Sequence, residues 1–99
     1  MTLRIVIAED SVLFREGLTR LLEEAGHDVV AAVGDAESLL GSVANRTPDV
    51  VIVDVRMPPD MTDDGARAAH ALRALRPTLP ILLLSQHIET RHAVELVGT

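Results

Sequence analysis

The 99-residue sequence predicts an α/β fold: a doubly wound parallel sheet with helices on both faces, three layers in all. Three observations carry that reading. Short aliphatic runs alternate with stretches whose apolar residues recur every three or four positions. The runs are near-continuously apolar, as strands buried on both faces require. Gly and Pro stand at the junctions between the two patterns.

The elements follow in order. Leu3 to Ala8 (Leu-Arg-Ile-Val-Ile-Ala) reads as a buried strand. Phe14, Leu18, Leu21, Leu22 and Ala25 then give a helix from about Ser11 to Ala25, with Asp10 or Ser11 as its cap and Gly26 as its stop. Val29 to Val33 is a second strand, and Asp35 can cap a second helix from Ala36 to about Arg46 with a buried stripe of Ala36, Leu39, Leu40 and Val43. Thr47-Pro48-Asp49 ends that helix and launches a third strand, Val50 to Val53. Val55 to Asp64 is a loop by its Pro and Asp content. A third helix from about Gly65 to Arg76 should bury Ala69, Leu72 and Leu75. Pro80 introduces a fourth strand, Ile81 to Leu84, and Thr90 can cap a last helical piece through Val97. The order βαβαβαβα implies parallel strands joined by right-handed crossovers.

Composition narrows the function classes. Phe14 is the only aromatic residue and the formal net charge is −6, so base stacking and attraction to a phosphate backbone are both disfavoured. With no cysteine, neither disulfides nor thiolate metal sites can form, and a cytoplasmic setting fits. Apolar runs of about five residues are far short of the roughly 20 that span a bilayer, so no membrane association is expected. All nine basic residues are Arg; there is no lysine.

The chemistry concentrates at strand ends. Glu9 and Asp10 follow the first strand, Asp54 the third and Ser85 the fourth. If the first and third strands are parallel neighbours, they lie roughly 5 Å apart and their terminal carboxylates converge. Converging like charges cost stability unless a hard cation such as Mg²⁺ neutralises them, which points to a metal site with one acid available for chemistry. In open α/β sheets ligands bind beyond the carboxyl ends of the strands, where the strand order reverses.

The stretches Ile-Val-Ile-Ala-Glu-Asp-Ser (Ile5 to Ser11), Val-Asp-Val-Arg-Met-Pro (Val53 to Pro58) and Leu-Leu-Leu-Ser (Leu82 to Ser85) resemble the response-regulator receiver domain of two-component signalling. The run Ser11 to Leu18 (Ser-Val-Leu-Phe-Arg-Glu-Gly-Leu) is similar to the NarL/LuxR class, whose receivers precede a helix-turn-helix. The resemblance implies a flavodoxin-like sheet of order 2-1-3-4. It implies that Asp54 is the phosphoacceptor for a sensor histidine kinase or a small acyl phosphate. Asp10 and Asp54 would hold Mg²⁺ directly with the backbone carbonyl of Arg56, Glu9 mainly through water, and Ser85 would be the switch hydroxyl. A transcriptional output would reach DNA only through a further domain outside these residues.

Two departures qualify the resemblance. The segment between Pro58 and Gly65 is three residues longer than the commonest Met-Pro-x-x-x-Gly pattern and carries Asp60, Asp63 and Asp64. Family members also continue into a fifth strand bearing a lysine and a fifth helix. The expectation is therefore one receiver domain over residues 1–99, incomplete at its C-terminus, with impaired phosphorylation and an apolar edge at Ile81 to Leu84 open to homodimerisation or strand addition. The alternative function is a truncated or pseudo-receiver that docks or dimerises without phosphorylation. Other classes fit worse: no Gly-x-Gly-x-x-Gly follows the first strand, a Walker A motif needs lysine, and a haloacid-dehalogenase-type phosphatase wants an Asp where Arg56 stands. His27, His70, His87 and His92 share no metal-like spacing, and Phe14 reads as ordinary core.

Overall fold

The computed structural model describes residues 1–55 and 64–84. Four strands, β1 (Arg4–Ala8), β2 (Asp28–Val33), β3 (Val50–Asp54) and β4 (Ile81–Leu84), form one sheet of order β2-β1-β3-β4 in which each neighbouring pair is parallel. Three helices connect them: α1 (Val12–Glu24), α2 (Ala36–Arg46) and α3 (Asp64–Leu75). This is the doubly wound sheet and the strand order expected. The expected last helical piece, Thr90 to Val97, lies outside the described residues.

Alternation along the strands divides the core in two. Val6, Ala8, Val51 and Val53 face one side, where Leu39 and Val43 of α2 and Ala68 and Leu72 of α3 cover them. Ile5, Ile7 and Ile52 face the other, against Leu18 and Leu22 of α1 and Leu84 of β4. The two central strands are thus buried on both faces, which is why their sequences are unbroken aliphatic runs. Register shifts between Ile5 and Val6, where β2 carries one more residue than β1.

Helix ends follow local chemistry. Ser11 accepts the Phe14 N–H and caps α1, resolving the choice left between Asp10 and Ser11. Gly26, at φ 93°, closes α1: its N–H reaches the Glu23 carbonyl and the His27 N–H that of Leu22, a Schellman pair that favours glycine. Asp35 caps α2 by accepting from both the N–H and the hydroxyl of Ser38. Asp49 then ties the start of β3 to β1, its carboxylate accepting the Arg4 N–H while its own N–H donates to the Arg4 carbonyl.

Expected core positions are corrected on α3 and on α1. Leu75 is 73% exposed, and Ala68 takes its place in the core. The reason is position rather than phase: Leu75 follows Leu72 by three residues on the same face as Ala68 and Ala69, but it is the last residue of α3, one turn beyond the last residue that the helix buries. Phe14 and Leu21 are likewise exposed on α1 rather than core; it is Leu18 and Leu22 of α1 that pack against Ile5, Ile7 and Ile52. Leu13, Phe14, Gly17, Leu18 and Leu21 line an open groove of about 480 Å³ on α1.

Candidate functional site

Register brings the acids together. Ala8 pairs with Val53, so Glu9 and Asp54 occupy the next rung on adjacent parallel strands. Side-chain alternation, which sends Ile7 and Ile52 to the α1 side, sends Glu9 and Asp54 to that side two residues later. Both are buried, at 2% and 5% exposure, among the core rather than on a solvated loop. The rung lies between β1 and β3, where the chain order of the sheet reverses.

Backbone and side chain both hold Glu9 in place. Its N–H donates to the Val33 carbonyl at 2.9 Å, extending the β1–β2 pairing by one residue. Its carboxylate Oε2 accepts the Ser11 N–H at 3.1 Å, and its carbonyl accepts Nη1 of Arg15 at 2.8 Å. Asp10 follows on an exposed bend between β1 and the cap of α1. No buried side-chain nitrogen or oxygen among the described residues lacks a hydrogen-bond partner, so the buried carboxylates are accommodated rather than stranded.

Asp54 is the last residue of β3, one position further into the sheet than the sequence pattern placed the strand end. Its Cα pairs with Leu84, and the Val55 N–H continues the ladder to the Leu84 carbonyl at 2.8 Å. On its other flank α3 starts very close by. The Gly65 N–H donates to the Val55 carbonyl at 2.9 Å, and a side chain at Gly65 would overlap the Asp54 carbonyl. Only glycine permits that approach.

Glu9, Asp10 and Asp54 are thus gathered at one end of β1 and β3. Arg56 and Ser85 lie outside the described residues, as do Met57, His87, His92 and the acids Asp60 and Asp63. Three carboxylates form an all-oxygen donor set, which fits a hard divalent cation such as Mg²⁺. Among the described residues no group of three or more acidic, His or Cys side chains is arranged so that it could hold a metal ion by itself. His27 serves structure: its Nδ1 accepts the Leu3 N–H at 3.1 Å, at the opposite end of β1 from the acids. The sequence marked Gly65 only as a pattern glycine at a helix start and Arg15 only within a family-like run; the contacts they make were not legible, the first because its role is spatial and the second because its partner is a backbone carbonyl. The one signal for Arg15 was its position, four residues after the Ser11 cap and so on the same side of α1.

Comparison with known proteins agrees with this geometry. The family model described as the response regulator receiver domain matches residues 5–99. The chain is 38% identical over 87 residues to the probable transcriptional regulatory protein NarL of Mycobacterium tuberculosis, covering 87% of this chain and 39% of that protein. It is 38% identical over 86 residues to a protein-glutamate methylesterase/protein-glutamine glutaminase of Haloarcula marismortui, covering 87% of this chain and 22% of that one. The chain therefore spans well under half the length of these relatives. Among solved structures, the signal receiver domain of the putative response regulator NarL from Mycobacterium tuberculosis superposes with a TM-score of 0.76 at 35% identity, covering 98% of this chain and 77% of that one.

Proposed function

The chain belongs to the response regulator receiver domain family of two-component systems, and from that premise we propose that Asp54 accepts a phosphoryl group from a sensor histidine kinase in a Mg²⁺-dependent reaction. The observation that carries the proposal is the buried Glu9–Asp54 rung at the carboxyl ends of the two central strands.

The roles divide as follows. A carboxylate oxygen of Asp54 attacks phosphorus; the new O–P bond forms as the P–N bond of phosphohistidine breaks, and its electron pair returns to the imidazole. Burial at the end of β3 and the ladder bond from Val55 to Leu84 support this role by holding the backbone on either side of the Asp54 carboxylate in place. Glu9, Asp10 and Asp54, with the carbonyl of Arg56, would hold Mg²⁺. When bound, the ion supplies the positive charge that lets an anionic nucleophile meet an anionic phosphoryl group. Ser85, next in sequence after Leu84, would donate its hydroxyl to a phosphoryl oxygen after transfer. Regulation of transcription would follow through an output domain, as the name of the mycobacterial relative suggests.

The test is labelling with acetyl phosphate, followed by intact-mass spectrometry. The wild-type chain should gain one phosphoryl group in Mg²⁺ and none in excess chelator. Equal labelling in both conditions would remove the proposed role of the ion.

A second reading is favoured by a separate observation. Leu82 and Leu83 are 52% and 39% exposed on β4, an edge strand among the described residues, and Leu13 is 83% exposed on α1. Such surfaces suit a docking or dimerisation module, with or without phosphorylation. A chain that binds partners but never labels would favour this reading over the first.

A further inference from the structure

We propose that Arg15 is a positioning residue for the acidic pocket: by clamping the Glu9 carbonyl it fixes the peptide plane from which Asp10 projects. This rests on the reading of Glu9, Asp10 and Asp54 as a Mg²⁺-dependent phosphoacceptor site.

The chain turns sharply between the end of β1 and the Ser11 cap of α1, and Asp10 stands exposed at that turn. Glu9 has its amide and its carboxylate tied to Val33 and Ser11. Neither bond sets the Glu9–Asp10 peptide plane, because both act on atoms before it or beside it. The bond from Arg15 Nη1 to the Glu9 carbonyl, at 2.8 Å, does set it. A guanidinium donor makes this a charge-assisted bond, roughly twice as strong as a neutral one. It also brings a positive charge to the Glu9 backbone in a chain that has no lysine.

Arg15 is itself well anchored. Its N–H donates to the Ser11 carbonyl at 2.9 Å, and its carbonyl accepts the Thr19 hydroxyl at 2.8 Å. The side chain can cross to Glu9 because residue 34 is glycine: a Cβ there would sit 2.9 Å from Nη1, and the next nearest atom is the Glu9 carbonyl oxygen itself at 3.8 Å. Gly34 directly follows β2, and its φ is not in the left-handed region, so the backbone tolerates Ala and the effect of a methyl falls on Arg15. Arg15 and Gly34 thus act as one device, a long cation and the gap through which it reaches.

The pair is tested with Arg15→Met, Arg15→Lys, Gly34→Ala and the double variant Arg15→Met/Gly34→Ala. Mg²⁺ affinity is measured by isothermal titration calorimetry, and the Asp10 backbone amide is followed by NMR in metal-free protein. Arg15→Met should weaken Mg²⁺ binding by about tenfold, the lower end for losing an outer partner of a metal ligand. Gly34→Ala should weaken it in the same direction, and the double variant should be no worse than Arg15→Met alone, since both remove one interaction. Arg15→Lys, which can still donate to the carbonyl, should recover most of the affinity. The Asp10 amide should shift or broaden in Arg15→Met and Gly34→Ala before any metal is added. Unchanged affinity and an unchanged Asp10 amide in Arg15→Met would overturn the proposal, as would a fully additive double variant. Wild-type protein that fails to bind Mg²⁺ would instead overturn the functional reading, while the metal-free amide would still decide whether Arg15 sets the peptide plane.

Discussion

Among the described glycines, Gly65 carries the tightest steric requirement. Any side chain there would push into the carbonyl of Asp54, so α3 could not start where it does without displacing the end of β3. Gly65→Ala should therefore destabilise the fold by about 3 kcal/mol or more, above the ordinary range for overpacking, because the obstacle is backbone rather than a movable side chain. Thermal unfolding followed by circular dichroism checks this, with a fall of more than about 10 °C in Tm expected for a domain of this size. At Asp54 itself the expectation is chemical: Asp54→Asn keeps the shape of the residue, removes the nucleophilic oxygen and should abolish labelling by acetyl phosphate. The three acids were legible in the sequence because each follows a strand-like run, and strand ends are where such sheets place ligands. Arg15 and Gly34 were not, because a long side chain reaching a backbone carbonyl through a gap leaves no spacing rule behind. Phe14 misled for the opposite reason: its periodicity is right for a helix face, but periodicity cannot say which neighbour covers that face.

Among the elements, α2 shows how a helix end can be less than ideal. Thr47 caps it at φ 44°, a left-handed conformation that a β-branched residue adopts at a cost, and it does so immediately before the buried Pro48. Thr47→Gly should relieve the strain and stabilise the chain by about 0.5–1 kcal/mol net of the extra freedom glycine has when unfolded. A raised denaturant midpoint at unchanged m value would show it. On the same sheet face, Leu72→Ala should cost about 2–5 kcal/mol, since this side chain of α3 is 2% exposed and packs in the larger core cluster. Element identity and order were readable throughout the described residues, because capping residues, Gly stops and Pro breaks mark every junction. The ends were less so: β3 runs one residue further, through Asp54, and α3 begins at Asp64 and ends at Leu75. Leu75 was misassigned to the core because the sequence does not say where a helix parts from the sheet it crosses.

For the molecule as a whole, the topology was set by a general rule rather than by any one residue. Parallel strands with helical crossovers admit few orders, and the family resemblance carried by the motifs at three strand ends implied the order observed, β2-β1-β3-β4. Which surfaces stay uncovered was not readable, since it depends on how the helices are shared between faces: α2 and α3 pack on one side and α1 on the other. The exposed Leu82 and Leu83 should make the 99-residue chain associate as its concentration rises. Sedimentation velocity should record this, and Leu83→Lys should reverse it by placing a charge on the edge. Association would leave the site itself intact, because Glu9 and Asp54 are buried between the two central strands and not on β4, the edge strand among the described residues. The central claim is that the strand-terminal acid of β3 is the phosphoacceptor. The most direct measurement locates the acyl phosphate in the chain: label with acetyl phosphate and Mg²⁺, reduce with borohydride, and sequence the peptides by mass spectrometry. The account predicts homoserine at position 54 and nowhere else; a reduced residue at Glu9 or Asp10 with Asp54 untouched would contradict it.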